Sequence, residues 1–226
     1  VFLHAATEAN DSNFLSTRHE FHRSPAMRIA GGRALELAGR SIGAIDHVDL
    51  YSCFPSAVQI AATELGIPEG RPLTVTGGLT FGGGPMNSYT LHAIARMAEV
   101  VRADPGSTGL VSGNGGWLAK HAFAIYSAAP AERGFRYENL QAQVDAFPLR
   151  AARLGWDGPV TLEAYTVAHR GGQPHIAHVA CLTDDGTRTW ATLRDPALLA
   201  AMMREEFCGR RGRVDGHGQL SLGAHG

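Results

Sequence analysis

Gly77-Gly78-Leu79-Thr80-Phe81-Gly82-Gly83-Gly84-Pro85-Met86-Asn87-Ser88-Tyr89 is the stretch on which the architecture of this chain turns. Five of its first eight residues are glycine. Glycine has no Cβ and reaches φ > 0 at little cost, so backbone amides here can approach a ligand closely. An apolar stretch, Leu73 and Val75, precedes the run, and helix-spaced apolar residues follow from Tyr89 to Val101. The run therefore reads as a strand-to-helix loop. The N-terminus of the following helix brings partial positive charge to the same space, which suits an anion or a developing oxyanion.

Working outward, Ser24-Pro25 is a helix start, with apolar Met27, Ala30, Ala34, Leu35 and Leu37 following at helical spacing. Asp46 to Tyr51 reads as a short strand. Phe54-Pro55-Ser56 opens a second helix that Gly66 stops. Leu110-Val111-Ser112 and Trp117 to Tyr126 read as strands. The order is that of an α/β fold with a largely buried sheet. Ala128 to Gly134 is small and polar and reads as a linker. Beyond it, strands at 160–168, 176–182 and 188–193, a helix from Asp195-Pro196 to Met203 and a closing strand pair in 209–222 fit a small antiparallel barrel. The expected domains are thus 1–127 and 128–226.

The composition limits the function. Of 226 residues, 44% are hydrophobic and 18% charged, the balance of a globular protein. A net charge of −1 gives no field favouring nucleic acid or an anionic membrane. No apolar run approaches the roughly 18 residues that span a bilayer. Cys53, Cys181 and Cys208 are too few and too scattered for a disulfide framework or a zinc motif, so a reducing cytoplasm is the expected location. Val1-Phe2-Leu3 already reads as a buried strand, so the sequence is expected to begin inside a fold.

Three segments, Val48-Asp49-Leu50-Tyr51-Ser52-Cys53-Phe54, the glycine run, and Ser112-Gly113-Asn114-Gly115-Gly116-Trp117, occur in the order and approximate spacing of thiolase motifs. Residues 1 to about 127 resemble the C-terminal half of a thiolase, nearest the sterol-carrier-protein-type thiolases and their bacterial thiolase-like relatives such as acetyl-CoA acetyltransferases. The residues beyond resemble the extra C-terminal domain that some of those relatives carry. The resemblance implies a mixed sheet with helices on both faces, then an OB-like β-domain. It implies Claisen-type acyl transfer on coenzyme A thioesters, with coenzyme A as part of the substrate and no separate cofactor or metal.

Position by position, the resemblance also implies losses. The Asn-Glu-Ala-Phe or His-Asp-Cys-Phe motif of the family matches Tyr51-Ser52-Cys53-Phe54, with Tyr51 where the family holds a catalytic water. The histidine of the Gly-His-Pro segment matches Gly84. The acid/base cysteine of the Cys-x-Gly motif matches Gly113, followed by Asn114 and Gly115. The nucleophilic cysteine belongs to the N-terminal half of the family fold. Losing both acid/base groups costs on the order of 10² to 10⁴-fold each. Tyr51 and Asn114 are left as candidate catalytic side chains, and Gly82, Gly83, Gly84, Asn87, Gly113 and Gly115 as candidate acyl-CoA contacts.

Each position also has a plainer explanation. Tyr51 at a strand end fits a half-buried core tyrosine, and Cys53 a buried free thiol. Asn87 and Ser88 fit helix caps. His92, one turn past the loop, and His121, beside Lys120, fit structural histidines. His175 and His178 fall on opposite faces of a strand and make a poor metal pair. Arg204, Arg210, Arg211 and Arg213 form a basic patch. Three functions follow: a thiolase-like acyltransferase portion inactive by itself, a non-catalytic acyl-CoA-binding or partner-docking protein, or a retro-aldolase on a β-hydroxyacyl thioester in which Tyr51 accepts the hydroxyl proton. The expected partners are an acyl-CoA and the absent N-terminal half, on the same or another chain, with a homodimer as a further option and no nucleic acid or membrane.

Overall fold

In the computed structural model, residues 1–223 are described, and they divide into two compact units. The first comprises Val1–Asn13 and His22–Pro148, the second Phe14–Phe21 and the described residues from Leu149 on.

The first unit is built on a mixed sheet of β1 (Phe2–Asn10), β2 (His47–Asp49), β3 (Thr108–Gly115), β4 (Lys120–Ser127) and β5 (Arg136–Asn139), in the order β2-β3-β4-β1-β5. β3 and β4 form an antiparallel hairpin, while β2 on β3 and β5 on β1 are parallel. The sheet buries both faces, as its apolar strands anticipate. On one face, Ala5, Ala9, Leu110, Phe123 and Ile125 pack under α1 (Pro25–Leu37) and α2 (Pro55–Leu65). On the other, Val111 packs under α4 (Tyr89–Ala103) through Tyr89, Ala93, Met97 and Val101. Full burial of a side chain such as Phe123 contributes on the order of 2–3 kcal/mol.

Local chemistry sets the helix ends. Ser24 caps α1 by accepting from the Met27 N–H at 3.1 Å, and Pro25 occupies the first turn, where an N–H has no partner to lose. Gly66 ends α2 in the left-handed conformation, φ 69°, which a residue with a Cβ resists. The run at 77–89 is not preceded by a strand: Leu73 only accepts the Leu50 N–H at 2.9 Å, and the loop itself contains a short helix, α3 (Leu79–Gly82). The strand read from Trp117 begins at Lys120, because the hairpin turn takes the residues before it. After the residues read as a linker the chain returns to the first sheet as β5, followed by α5 (Gln141–Val144).

The second unit is an antiparallel sheet of β6 (Gly158–Arg170), β7 (Gln173–Leu182), β8 (Arg188–Leu193), β9 (Arg211–Val214) and β10 (Leu220–Ser221), in the order β10-β9-β6-β7-β8, with α6 (Pro196–Met202) packed on it. Its two edges meet through one bridge, Thr192 to Gln219, so the sheet is barrel-like without closing as a barrel. Segment 14–21 is held on this unit by Arg188, whose side chain is fully buried. Its guanidinium pairs with Glu163 through two bonds of 2.5 and 2.6 Å, and donates to the carbonyls of Ser16 at 2.9 Å and Arg18 at 2.6 Å. It also lies 4.2 Å from the Phe21 ring centroid, a cation–π contact. Among the described residues, no helix is long and apolar enough to cross a membrane.

Candidate functional site

The segments singled out in the sequence converge at one end of the first sheet. Beneath them is Asp49, the last residue of β2, with no solvent exposure. Its Oδ1 accepts from the Tyr89 hydroxyl at 2.7 Å. Its Oδ2 accepts from the Thr74 hydroxyl at 2.8 Å, the Val75 N–H at 2.9 Å and the Thr76 N–H at 3.2 Å. A buried carboxylate is tolerated when its lone pairs are engaged in this way. The network ties β2, the entry to the glycine loop and the first residue of α4 into one unit. Asp49 lay inside a matched segment, but its partners are 25 to 40 residues away and sequence reading assigned it no role.

Just above the network, Tyr51 donates its backbone N–H to the Ser112 hydroxyl at 2.9 Å and sets its ring edge-on to Tyr89, with centroids 5.2 Å apart. Burial pushes its phenol up from the ordinary value, with the Cys53 charge adding to the effect. Ser52 accepts the Leu79 N–H at 2.8 Å, which anchors α3. Gly78 sits at φ 77°, and a Cβ there would lie 2.8 Å from the Ser52 hydroxyl. Glycine is therefore required twice over, by the backbone and by this approach.

Asn114, near the end of β3, donates Nδ2–H to Cys53 Sγ at 3.2 Å, while its Oδ1 is buried with no hydrogen bond among the described residues. Burial raises the Cys53 thiol, and the Phe54 N–H and the Asn114 amide pull it part of the way back. The thiol thus stays protonated at neutral pH. We expect alkylation of Cys53 by iodoacetamide to rise only above the pH at which an ordinary thiol reacts. Asn114→Ala should move that profile further up, and a profile shifted down would contradict the arrangement. His121 pairs with Asn114 across the β3–β4 ladder and is 3% exposed, with Nε2 at 3.5 Å from Asp11 Oδ2. Both of its ring nitrogens are buried and make no hydrogen bond among the described residues.

The glycines divide by role. Gly83 takes φ 64° and turns the chain after α3. Gly84 is extended, and a Cβ there would lie 3.2 Å from Tyr89 Cβ and 3.5 Å from Leu79 Cδ2. A Cβ at Gly113 would meet Thr90 Oγ1 at 3.6 Å, an ordinary contact, so Gly113 faces the first turn of α4 with room to spare. Gly115 pairs with Lys120 at the end of the hairpin. Asn87 is exposed at φ 63°, next to Met86 at φ 51°, and neither Asn87 nor Ser88 caps α4 with its side chain. The Ser88 hydroxyl is instead 3.2 Å from His92 Nε2, and His92 Nδ1 is 3.1 Å from the Gly82 carbonyl. Gly82 thus enters the site through its carbonyl.

Elsewhere, the basic patch is largely neutralised. Arg210 pairs with Glu205, Arg211 with Asp184 and Arg213 with Asp157. Among the described residues, no three His, Cys, Asp or Glu side chains group as metal ligands.

Comparisons with known proteins bear on the fold. The family described as "Thiolase-like protein type 1 additional C-terminal domain" matches residues 139–219. A crystal structure of a monomeric SCP2-thiolase like protein type 1 from Mycobacterium smegmatis is 33% identical, with a TM-score of 0.86 over 97% of this chain. The chain spans 50% of that structure's length. No curated protein matches the sequence. By its fold, and by the match of residues 139–219 to the additional C-terminal domain, the chain is similar to SCP2-thiolase-like proteins.

Proposed function

We propose that this chain is the portion of a thiolase-like acyl-CoA acyltransferase that holds the coenzyme A thioester. Tyr51, Asn114 and the loop glycines surround the acyl carbonyl, and the positions of the family's histidine and second cysteine are taken by Gly84 and Gly113. The observation that carries this reading is the convergence of residues 51–53, 77–92 and 112–114 on one sheet end, fixed from below by Asp49. The Gly84 N–H makes no hydrogen bond among the described residues, which leaves it as a donor for a carbonyl oxygen. Phe54, Phe81, Leu91 and Trp117, which lie in or next to these segments in sequence, are exposed, in keeping with cover by an N-terminal half or an apolar acyl chain.

The side chains near the carbonyl fit donation better than abstraction. Burial keeps the Tyr51 phenol and the Cys53 thiol in their neutral forms. Aldol cleavage asks Tyr51 to accept a proton, and that role is disfavoured by the same shift. Titration calorimetry with acetyl-CoA should register binding that Asn114→Ala weakens about tenfold, a loss near 1.4 kcal/mol. The chain alone should give no coenzyme A-dependent cleavage of acetoacetyl-CoA. No binding heat at millimolar acetyl-CoA, or measurable thiolysis, would overturn the reading.

A further inference from the structure

Ser88 and His92 stand one helical turn apart, at the spacing that puts two side chains side by side on a helix. The hydrogen bonds fix which way the proton points. The Gly82 carbonyl can only accept, so His92 Nδ1 carries the hydrogen and donates to it at 3.1 Å. In the neutral ring Nε2 is then the lone-pair nitrogen, and the Ser88 hydroxyl donates to it at 3.2 Å. A hydroxyl bonded to a base, with the base oriented by a third group, is the arrangement of an activated nucleophile.

The surroundings fit that role. Ser88 occupies the N-cap position of α4, yet its hydroxyl does not cap the helix and is committed to His92. Met86 and Asn87 precede it with φ of 51° and 63°, two consecutive non-glycine residues in the left-handed region. Such strain persists only where the surroundings impose it. They do so here through the Ser88 N–H bond to the Pro85 carbonyl at 3.1 Å, and through Tyr89, which is locked on Asp49. Ser88 and His92 are both partly exposed, so a substrate can reach them. Phe81, Met86 and Leu91 are 83%, 97% and 67% exposed on the same segment and offer apolar contact to an acyl group.

We propose that Ser88 is a nucleophile activated by His92 and oriented by the Gly82 carbonyl, and that it takes an acyl group from a thioester or activated ester. The Ser88 oxygen attacks the acyl carbon while its proton passes to His92 Nε2. The carbon–sulfur bond then breaks, and the leaving thiolate takes that proton as a thiol. Water attacks the acyl-serine with His92 again as base, which releases a carboxylic acid and restores Ser88. The sum is thioester plus water giving acid plus thiol. The choice of a thioester rests on the function proposed above; the dyad does not.

The test is labelling of the full chain with diisopropyl fluorophosphate, followed by peptide mapping, with acetyl-CoA hydrolysis followed as thiol release. We expect the phosphoryl label on Ser88, abolished in Ser88→Ala and at least tenfold slower in His92→Gln. Circular dichroism of both variants guards against misfolding, and Ser88→Thr, which retains the hydroxyl, serves if alanine fails to fold. Label on another residue, or an unchanged rate in His92→Gln, overturns the proposal. Labelled Ser88 without acetyl-CoA binding leaves the dyad standing and removes the coenzyme A reading. Acetyl-CoA binding without label does the reverse.

Discussion

Replacing Asp49 with alanine should destabilise the first unit by about 3–5 kcal/mol and release the glycine loop. The carboxylate is fully buried and accepts from the Tyr89 hydroxyl, the Thr74 hydroxyl and the N–H groups of Val75 and Thr76. Its removal strands those donors away from water, and each unsatisfied buried group costs about 1–3 kcal/mol. Partial relaxation keeps the sum below the simple total. Asp49→Asn offers a control: it keeps the shape but turns one acceptor into a donor facing other donors, so it should recover little. Urea denaturation measures the loss, and amide exchange locates it. Protection should fall at Thr74 to Gly78 before it falls at Phe123 or Ile125. A loss below about 1 kcal/mol, or uniform exchange, would mean that the loop is held by something other than this carboxylate.

Arg188→Met is expected to cost the second unit a similar amount, for a different reason. The arginine's own burial is compensated by Glu163 and by four backbone carbonyls, from Leu15, Ser16, Arg18 and His19. Methionine fills much of the same volume but leaves Glu163, whose side chain is 15% exposed, beside Arg150 alone at 3.9 Å. Removing one partner of a buried pair costs roughly 3–5 kcal/mol, because the remaining charge is uncompensated. The double variant Arg188→Met with Glu163→Gln should therefore be more stable than Arg188→Met alone, and limited proteolysis should cut first within 14–21. Arg188→Lys should not rescue, since an ammonium lacks the planar fork that serves the carboxylate and the carbonyls together. Equal stability of the single and double variants would sink this account.

Much of the chain's organisation was legible because its signals are local. Ser24-Pro25, the 3.6-residue spacing from Tyr89 to Val101 and the alternation at Val160 to Ala168 each placed an element within a few residues of where it lies. The resemblance added the register between distant motifs, which no local pattern contains. What escaped reading depends on long-range pairing. β5 is four mostly exposed residues, Arg-Tyr-Glu-Asn, with no period of its own. It exists because β1 offers a free edge more than a hundred residues earlier. Residues 14–21 drew no reading from sequence, and the carbonyls that Arg188 collects give them a place.

The site was legible to the same extent. The sequence identified the glycine run, Tyr51 and Asn114 as neighbours, but not the buried carboxylate that holds them. Nor could it separate a capping serine from one bonded to histidine. That choice depends on the backbone angles at Met86 and Asn87, and neither residue type announces a left-handed conformation as glycine does.

The route of residues 2–21 bears on how this part of the chain folds during synthesis. β1 must wait for β4 and β5 to be translated before its hydrogen bonds close, and the segment behind it waits longer still, for the strand that carries Arg188. As the ribosome delivers the chain in order, β1 and the segment after it settle only once the later strands that hold them have emerged. A nascent-chain arrest series should therefore find β1 unprotected until residues past 139 have left the exit tunnel, and Phe14–Phe21 protease-sensitive until those past 188 have followed.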